Sequence, residues 1–443
     1  MDNRKFVLGE IGQWAREGAI DEATRARLAA RYAADAGASS LRAVVCLSIG
    51  ALLVGLGVIA LLAANWDALS RNVRAVISVL PLALCVAAWL AGVAKGWRGR
   101  GFFEPLGIFW SLAVGTGISL VAQTYQISGD PAAFTLTWTL LLLPTLYATR
   151  ALGPGLGYFI GLFVWVCIRT DAEANTQLYW LLAPLAVPAL ARIRRESPGG
   201  VRFGLVLWGA ALCSTAALGF TLVKAMPGLW MIVYSGAFAA LLLGGLLCEA
   251  GGRSIWQTPM RTLGGGGLAV LLFLLIFRWP WHEIGYDHYR ANYETRGEMW
   301  FDYTLVAVLP LLAVALACRV WLKRARGERL VPTLWGLAPV VVAAGYMLAM
   351  KETGEPWAAA LLCTGYLAAM GLATMAAGFA RRSLMLVNSG VLVLLAVIVG
   401  KFFADEHSFT VRGVAFVVCG SLFFVANWIA SRRLKQASGQ EVG

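Results

Sequence analysis

Long apolar runs alternate with short polar stretches from residue 43 to residue 430 of the 443-residue chain. Runs of about 18–22 residues match the ~20-residue helix that crosses ~30 Å of hydrocarbon. They fall at 43–64, 73–94, 105–127, 132–149, 151–168, 177–193, 203–223, 228–248, 262–278, 302–322, 333–350, 357–380, 384–404 and 410–430. This pattern predicts an all-α fold: a polytopic transmembrane helical bundle of about 14 spans. The least distinct runs are 132–149 and 151–168, parted only by Arg150, and 177–193, which holds Pro184 and Pro188. A kinked or half-spanning segment is the alternative there, because proline frees a carbonyl that neighbours must satisfy.

The first 42 residues follow a different period. Val7, Ile11 and Trp14 share one helical face, and Gly18 is a stop signal. Asp21 can cap a second helix that carries Thr24, Leu28 and Tyr32. A cytoplasmic helical hairpin over 1–42 is expected, followed by a transmembrane domain over 43–431 and a cytoplasmic tail over 432–443. Two helices this short bury too little to stand alone, so the hairpin must dock on the membrane domain or on a partner.

Composition supports the membrane class. Apolar residues make up 59% of the chain and charged residues 14%, well below the ~25% of soluble domains. The net charge of +13 does not point to nucleic acid, because the basic residues sit in short clusters between apolar runs. With the N-terminus inside and the runs alternating, 27 Lys and Arg fall on inside segments and 10 on outside segments. That asymmetry predicts both termini in the cytoplasm and an even number of spans. Many of the 18 Trp and 12 Tyr lie near run ends and fit interfacial belts. Each of the eight cysteines occupies a different run with no CxxC pairing, which suits packing rather than metal or disulfide chemistry. The polar first forty residues argue against a cleavable signal peptide.

The candidate chemistry is displaced from the membrane centre. No Asp, Glu, Lys, Arg or His lies near the middle of any predicted span. Charge at mid-bilayer costs about 2.5–3.5 kcal/mol and is kept mainly for function, so a carboxylate-relay pump or ion-coupled antiporter is disfavoured. A polar cluster gathers instead at the predicted outer side. It comprises Asn65, Trp66 and Asp67 after span one, Gln123, Tyr125, Gln126 and Asp130 after span three, and Lys401, Asp405, Glu406 and His407 after span thirteen. Such groups suit a polar headgroup or sugar-phosphate at the outer interface. Simpler roles compete: Asp130 before Pro131 is a good N-cap, Asp67 can cap the next turn, and Trp66 and Tyr125 can be belt residues. Gln123 lies one turn inside, where a buried amide would need partners.

The loop 279–300 carries His282 and His288, whose six-residue spacing does not share a helical face, so a folded loop is favoured over zinc. The basic run Lys323–Arg329 reads as a topology determinant that attracts anionic lipid. Gly153, Gly157 and Gly161 repeat at the four-residue spacing of close helix contacts, and Gly264–Gly267 opens the ninth run.

Three motifs then carry a resemblance: Trp14, Gly18 and Ile20 in W-x3-G-x-I; Asn65, Trp66 and Asp67 closing AANWD; and Gln123, Tyr125, Gly129 and Asp130 in AQTYQISGD. Together they resemble the prokaryotic predicted membrane proteins of the domain of unknown function 2157 family, over about the first third of the chain. The segment Gly400–Gly420 is similar to tails of related multi-helix proteins, some encoded beside a membrane protein with a GDYxxLxY signature. The resemblance implies the bacterial cytoplasmic (inner) membrane and a second membrane protein as partner, alongside membrane lipids. It implies no activity and no cofactor. The many spans and tiny loops point to a transporter- or flippase-like bundle or an envelope scaffold. The alternative is a membrane-embedded transferase acting on a lipid-linked substrate with Asp130, Gln123 and His407.

Overall fold

The computed structural model describes residues 3–34, 46, 49–50, 52–57, 60–61, 64, 69–97, 100–171, 176–196, 201–222, 228–248, 255–284, 300–323, 326–351, 356–404, 413–414, 417, 420–421 and 424. Among them regular structure is helical throughout, with no strand. Helices α1 (Asn3–Arg16) and α2 (Glu22–Ala34) are separated by a turn in which Gly18 takes φ +73°, a conformation a side chain would strain. Ile11 is buried, whereas Trp14 stays exposed.

The apolar runs become α3 (Arg71–Ala94), α4 (Arg100–Tyr125), α5 (Pro131–Thr149) and α6 (Leu152–Asp171), then α7 (Tyr179–Leu182), α8 (Val187–Glu196), α9 (Val201–Thr221), α10 (Leu229–Cys248) and α11 (Pro259–Leu274). They continue as α12 (Trp300–Lys323), α13 (Arg326–Gly336), α14 (Ala338–Lys351), α15 (Trp357–Ala380) and α16 (Leu384–Ala404). Ten helices among the described residues are long and apolar enough to cross a membrane; one of them, Glu328–Lys351, joins α13 and α14 through a turn at Leu337. Arg150 separates α5 from α6 by taking the left-handed conformation, φ 52°, with its amide donating to Leu146. One charged residue therefore suffices to part those two spans.

Four of the expected fourteen spans do not appear as single long helices. Run 43–64 is described only in pieces, at 46, 49–50, 52–57, 60–61 and 64, all of them helical; run 410–430 lies mostly outside the described residues, and 35–42 and the tail at 432–443 lie outside them entirely. Run 177–193 breaks into α7, a 3-10 turn at Ala183–Ala186 and α8. Pro184 and Pro188 lack the amides an α-helix needs there, so the pitch changes. Run 262–278 gives only the 16-residue α11, about 24 Å long, short of the ~30 Å hydrocarbon core.

The chain divides into two compact units: Met1–Trp165 with Pro184–Ile193, and Val166–Ala183 with Arg194–Gly443. In the first, α3 packs on α4 and α4 on α5. The glycine repeat packs as its spacing predicts, with Gly153 against Ile108, Gly157 against Leu142 and Gly161 against Thr139. In the second, α10 packs on α11 and α12, and α15 on α16, around a core that includes Leu229, Leu268, Trp281, Val342 and Cys363. There Gly264 admits the backbone of Leu242 and Phe238, so α10 and α11 touch main chain to main chain.

Tryptophan does more than line belts. Trp89 donates to the Ala148 carbonyl at 3.2 Å and Trp138 to Ser111 at 2.8 Å, tying helices of the first unit together. In the second unit Trp180 donates to Thr221 at 3.1 Å and Trp281 to the Leu275 carbonyl at 3.0 Å. Trp230, Trp279, Trp300, Trp321 and Trp357 are exposed and suit the interface.

Candidate functional site

The first unit contains a cleft of about 540 Å³ between α3, α4, α5 and the loop that joins α4 to α5. Ser78, Val79 and Leu82 form one wall and Val114, Ile118 and Val121 the next. Ala133, Phe134, Thr137 and Leu141 form the third, while Ile127, Ser128, Gly129 and Asp130 close one end. The helix residues that form the walls carry no charge; the charged lining residue, Asp130, sits where the chain leaves helical structure. A few hundred Å³ of largely apolar space with polar groups at one end is the usual form of a small-molecule site.

Local sequence explains the geometry. A Cβ on Gly117 would lie 3.0 Å from the Ser78 carbonyl, so glycine lets α3 and α4 approach at the cleft floor. Ser78 is buried and returns its hydroxyl to the Arg74 carbonyl at 2.7 Å, which removes its polarity from the apolar wall. Gln126, with φ 52°, ends α4 and turns the chain into the loop. Asp130 then accepts from the amides of Ala132 at 3.0 Å and Ala133 at 3.2 Å, with Pro131 in the first turn of α5. This is the N-cap expected from the Asp-Pro pair.

The predicted residues fare differently. Gln123 is exposed rather than buried, so the expectation that it needs an internal partner does not apply. Tyr125 is 48% exposed and stacks under the guanidinium of Arg71, 4.8 Å from the ring centroid. Asp130 lines the cleft. Gln123, Tyr125 and Asp130 thus occur together at the end of α4 and its loop. Asn65, Trp66, Asp67 and His407 lie outside the described residues, as do Asp405, Glu406 and His288. Lys401 belongs to the second unit, where its ammonium donates to the Ile276 carbonyl at 2.8 Å. It thereby meets the broken end of α11, where a cation complements the negative end of the helix. His282 is exposed, and among the described residues no three His, Cys, Asp or Glu side chains come together.

Sequence reading overlooked three charged groups. Arg71 and Arg74 appeared only as outside-facing charges, yet they occupy the first turn of α3, and Arg74 Nε donates to the Leu69 carbonyl at 2.9 Å. Their signal is the seven- and four-residue spacing to Ser78, which places them on one helix face. Glu104 is 1% exposed and accepts from the Leu152 amide at 2.8 Å, so a carboxylate from α4 caps the start of α6. An isolated Glu-Pro at the edge of an apolar run was its only mark.

No curated protein and no solved structure matches the chain. A family model described as predicted membrane protein (DUF2157) matches residues 12–154, a range that contains the Trp14, Asn65 and Gln123 motifs. With its apolar helices, the chain is a membrane protein with several spans. The matched residues 12–154 include α3, α4, α5 and the whole cleft.

Proposed function

We propose that this protein handles membrane lipid, its first unit seating a lipid in the cleft between α3, α4 and α5. The carrying observation is that cleft: apolar walls of helical length ending on the polar loop Ser128–Asp130. A lipid has the same division into apolar chain and polar head. The reading extends to a flippase-like bundle, in which the seated lipid exchanges between leaflets, or to an envelope scaffold that holds it. The transferase alternative needs an acid or base within hydrogen-bond reach of the substrate. Asp130 already spends both carboxylate oxygens on backbone amides, which favours holding over chemistry.

The proposed setting is the bacterial cytoplasmic membrane with both termini cytoplasmic; the 27 to 10 division of basic residues supports that orientation. The polar end of the cleft then faces outward. In a cysteine-depleted background, a thiol at position 290 is expected to react with an impermeant reagent in intact cells, and one at 325 only after permeabilisation. The opposite pattern would invert the topology.

The functional test is reconstitution of the full chain in vesicles carrying a head-labelled phospholipid. Transbilayer exchange faster than in protein-free vesicles supports a flippase. Lipid that co-purifies with the protein but exchanges no faster supports a scaffold. If neither exchange nor retained lipid is found, the lipid reading falls.

A further inference from the structure

Besides the cleft, the first unit holds a second cavity of about 330 Å³, between α4, α5 and α6. We infer that this cavity is a separate binding site, a slot for one hydrocarbon chain of a membrane lipid. Its occupancy is independent of what the first cleft holds.

Helical spacing sets the two apart. Thr135, Trp138, Thr139 and Leu142 of α5 line the slot at three- and four-residue steps, whereas Ala133, Phe134, Thr137 and Leu141 line the cleft, so a different face of α5 serves each. Along α6 the slot runs from Gly153 to Val164, about 16 Å at the ~1.5 Å rise of each residue. Its long axis therefore follows the helices, as an extended acyl chain in a bilayer does. Ile160 and Val164 are the exposed members of its lining, so it opens on the outer side of α6, where a bilayer supplies hydrocarbon.

The lining sets the chemistry of the occupant. None of the residues around the slot is charged. Ser111 donates its hydroxyl to the Gly107 carbonyl at 2.7 Å, Thr135 to Pro131 at 2.8 Å and Thr139 to Thr135 at 2.7 Å. The Trp138 indole donates to the Ser111 carbonyl at 2.8 Å. Each polar hydrogen of these side chains is already spent, so a headgroup or a water would find no side-chain donor there. A hydrocarbon chain needs none, and it supplies the dispersion contacts that an empty slot forfeits.

The helices do not close the slot themselves, because they already touch beside it. A Cβ on Gly153 would collide with Ile108 and one on Gly161 with Thr139. These contacts prop α6 against α4 and α5, and the space between the contact points has to be filled by something from outside the fold.

The experiment places the full-length protein in bilayer discs of phosphatidylcholine that carries a photoreactive diazirine midway along one acyl chain, and maps the adducts after illumination. Adducts are expected on Leu142 and Thr139, which line the slot but are 4% and 2% exposed and so lie beyond the chains of the surrounding bilayer. Val164→Trp, which closes the mouth, should lose them while adducts on Val121 and Phe134 in the first cleft remain. Thr135→Phe, which fills the slot from α5, should do the same and carries the test if Val164→Trp fails to accumulate.

Adducts in the cleft with none at Leu142 or Thr139 overturn the slot and leave the lipid reading of the cleft standing. Adducts in the slot that vanish in both variants, with none in the cleft, uphold the slot and count against the cleft. Adducts at Leu142 and Thr139 that survive both substitutions overturn the slot, since the chain then reaches them by another route.

Discussion

The two units meet the same requirement, satisfying polar groups inside apolar helices, in different ways. In the first, spans α3 to α5 run full length, charged groups stay near the ends and mid-helix hydroxyls such as those of Ser78 and Thr139 return to the helix's own carbonyls, leaving a cleft among the three. In the second, α11 stops short and the chain folds back as a 3-10 turn at Trp279–Ile284. Trp281 and Ile284 of that turn are buried, and Ile284 packs toward Gly228. The backbone freed by the break is satisfied by a Trp281 indole on Leu275 and a Lys401 ammonium on Ile276. Irregular backbone at membrane depth survives only where protein covers it in this way. Full-length helices that leave a cleft between them can admit a ligand, whereas a broken helix must be sealed.

That contrast can be broken most directly at Trp281. Trp281→Ala removes a side chain that is 1% exposed together with its bond to Leu275, and should cost about 3–5 kcal/mol of unfolding free energy in detergent. A loss no larger than that from a substitution in the cleft wall would erase the distinction between a sealed and an open unit. Next in size is Lys401→Met, which keeps most of the apolar stem but deletes the ammonium on Ile276. A charged hydrogen bond at a half-buried site predicts a loss of about 1–3 kcal/mol. Fluorescence of the neighbouring tryptophans should shift as the end of α11 loosens. No change in either would mean that the break does not need its cation.

Asp130→Ala sharpens the other side of the comparison. Loss of the cap should cost about 0.5–2 kcal/mol and fray α5 next to the cleft. Asp130→Asn keeps a capping side chain, so it should restore stability. If it does not, the carboxylate charge matters beyond capping.

The smallest effect is expected at α2. The Thr24 side chain, hydrogen-bonded to the exposed Asp21, holds that carboxyl below its usual range. A depressed carboxyl adds stability above its unfolded value, and that stability is lost as pH falls through the folded value. Amide exchange in residues 22–34 should therefore quicken below about pH 4 beyond its intrinsic pH dependence, and Asp21→Asn should remove the excess.

Much of this fold was legible in the chain because a bilayer requires helices of a set length and apolarity. Runs such as 73–94 and 357–380 return as α3 and α15 with little change. The Asp130 cap and the Gly153, Gly157 and Gly161 packing were also legible, since each follows from neighbours within a turn or from helical spacing. The end of run 262–278 was not legible. Hydropathy scores Leu275, Ile276 and Phe277 as membrane residues whether they continue a helix or turn back beneath Trp281.

The candidate site divides along the same line. Its polar loop, from Gln123 to Asp130, could be read because a change from apolar to polar sequence is local. Its cleft could not, because it exists only where the faces of α3, α4 and α5 fail to close on one another. For the same reason Arg71 and Arg74 read as scattered charges until α3 was laid beside Tyr125. Sequence alone determined that the chain crosses a membrane repeatedly as helices, since desolvating the backbone leaves few other solutions. Tertiary structure decided where those helices break and where they part, since both depend on which distant side chain arrives to satisfy or to fill.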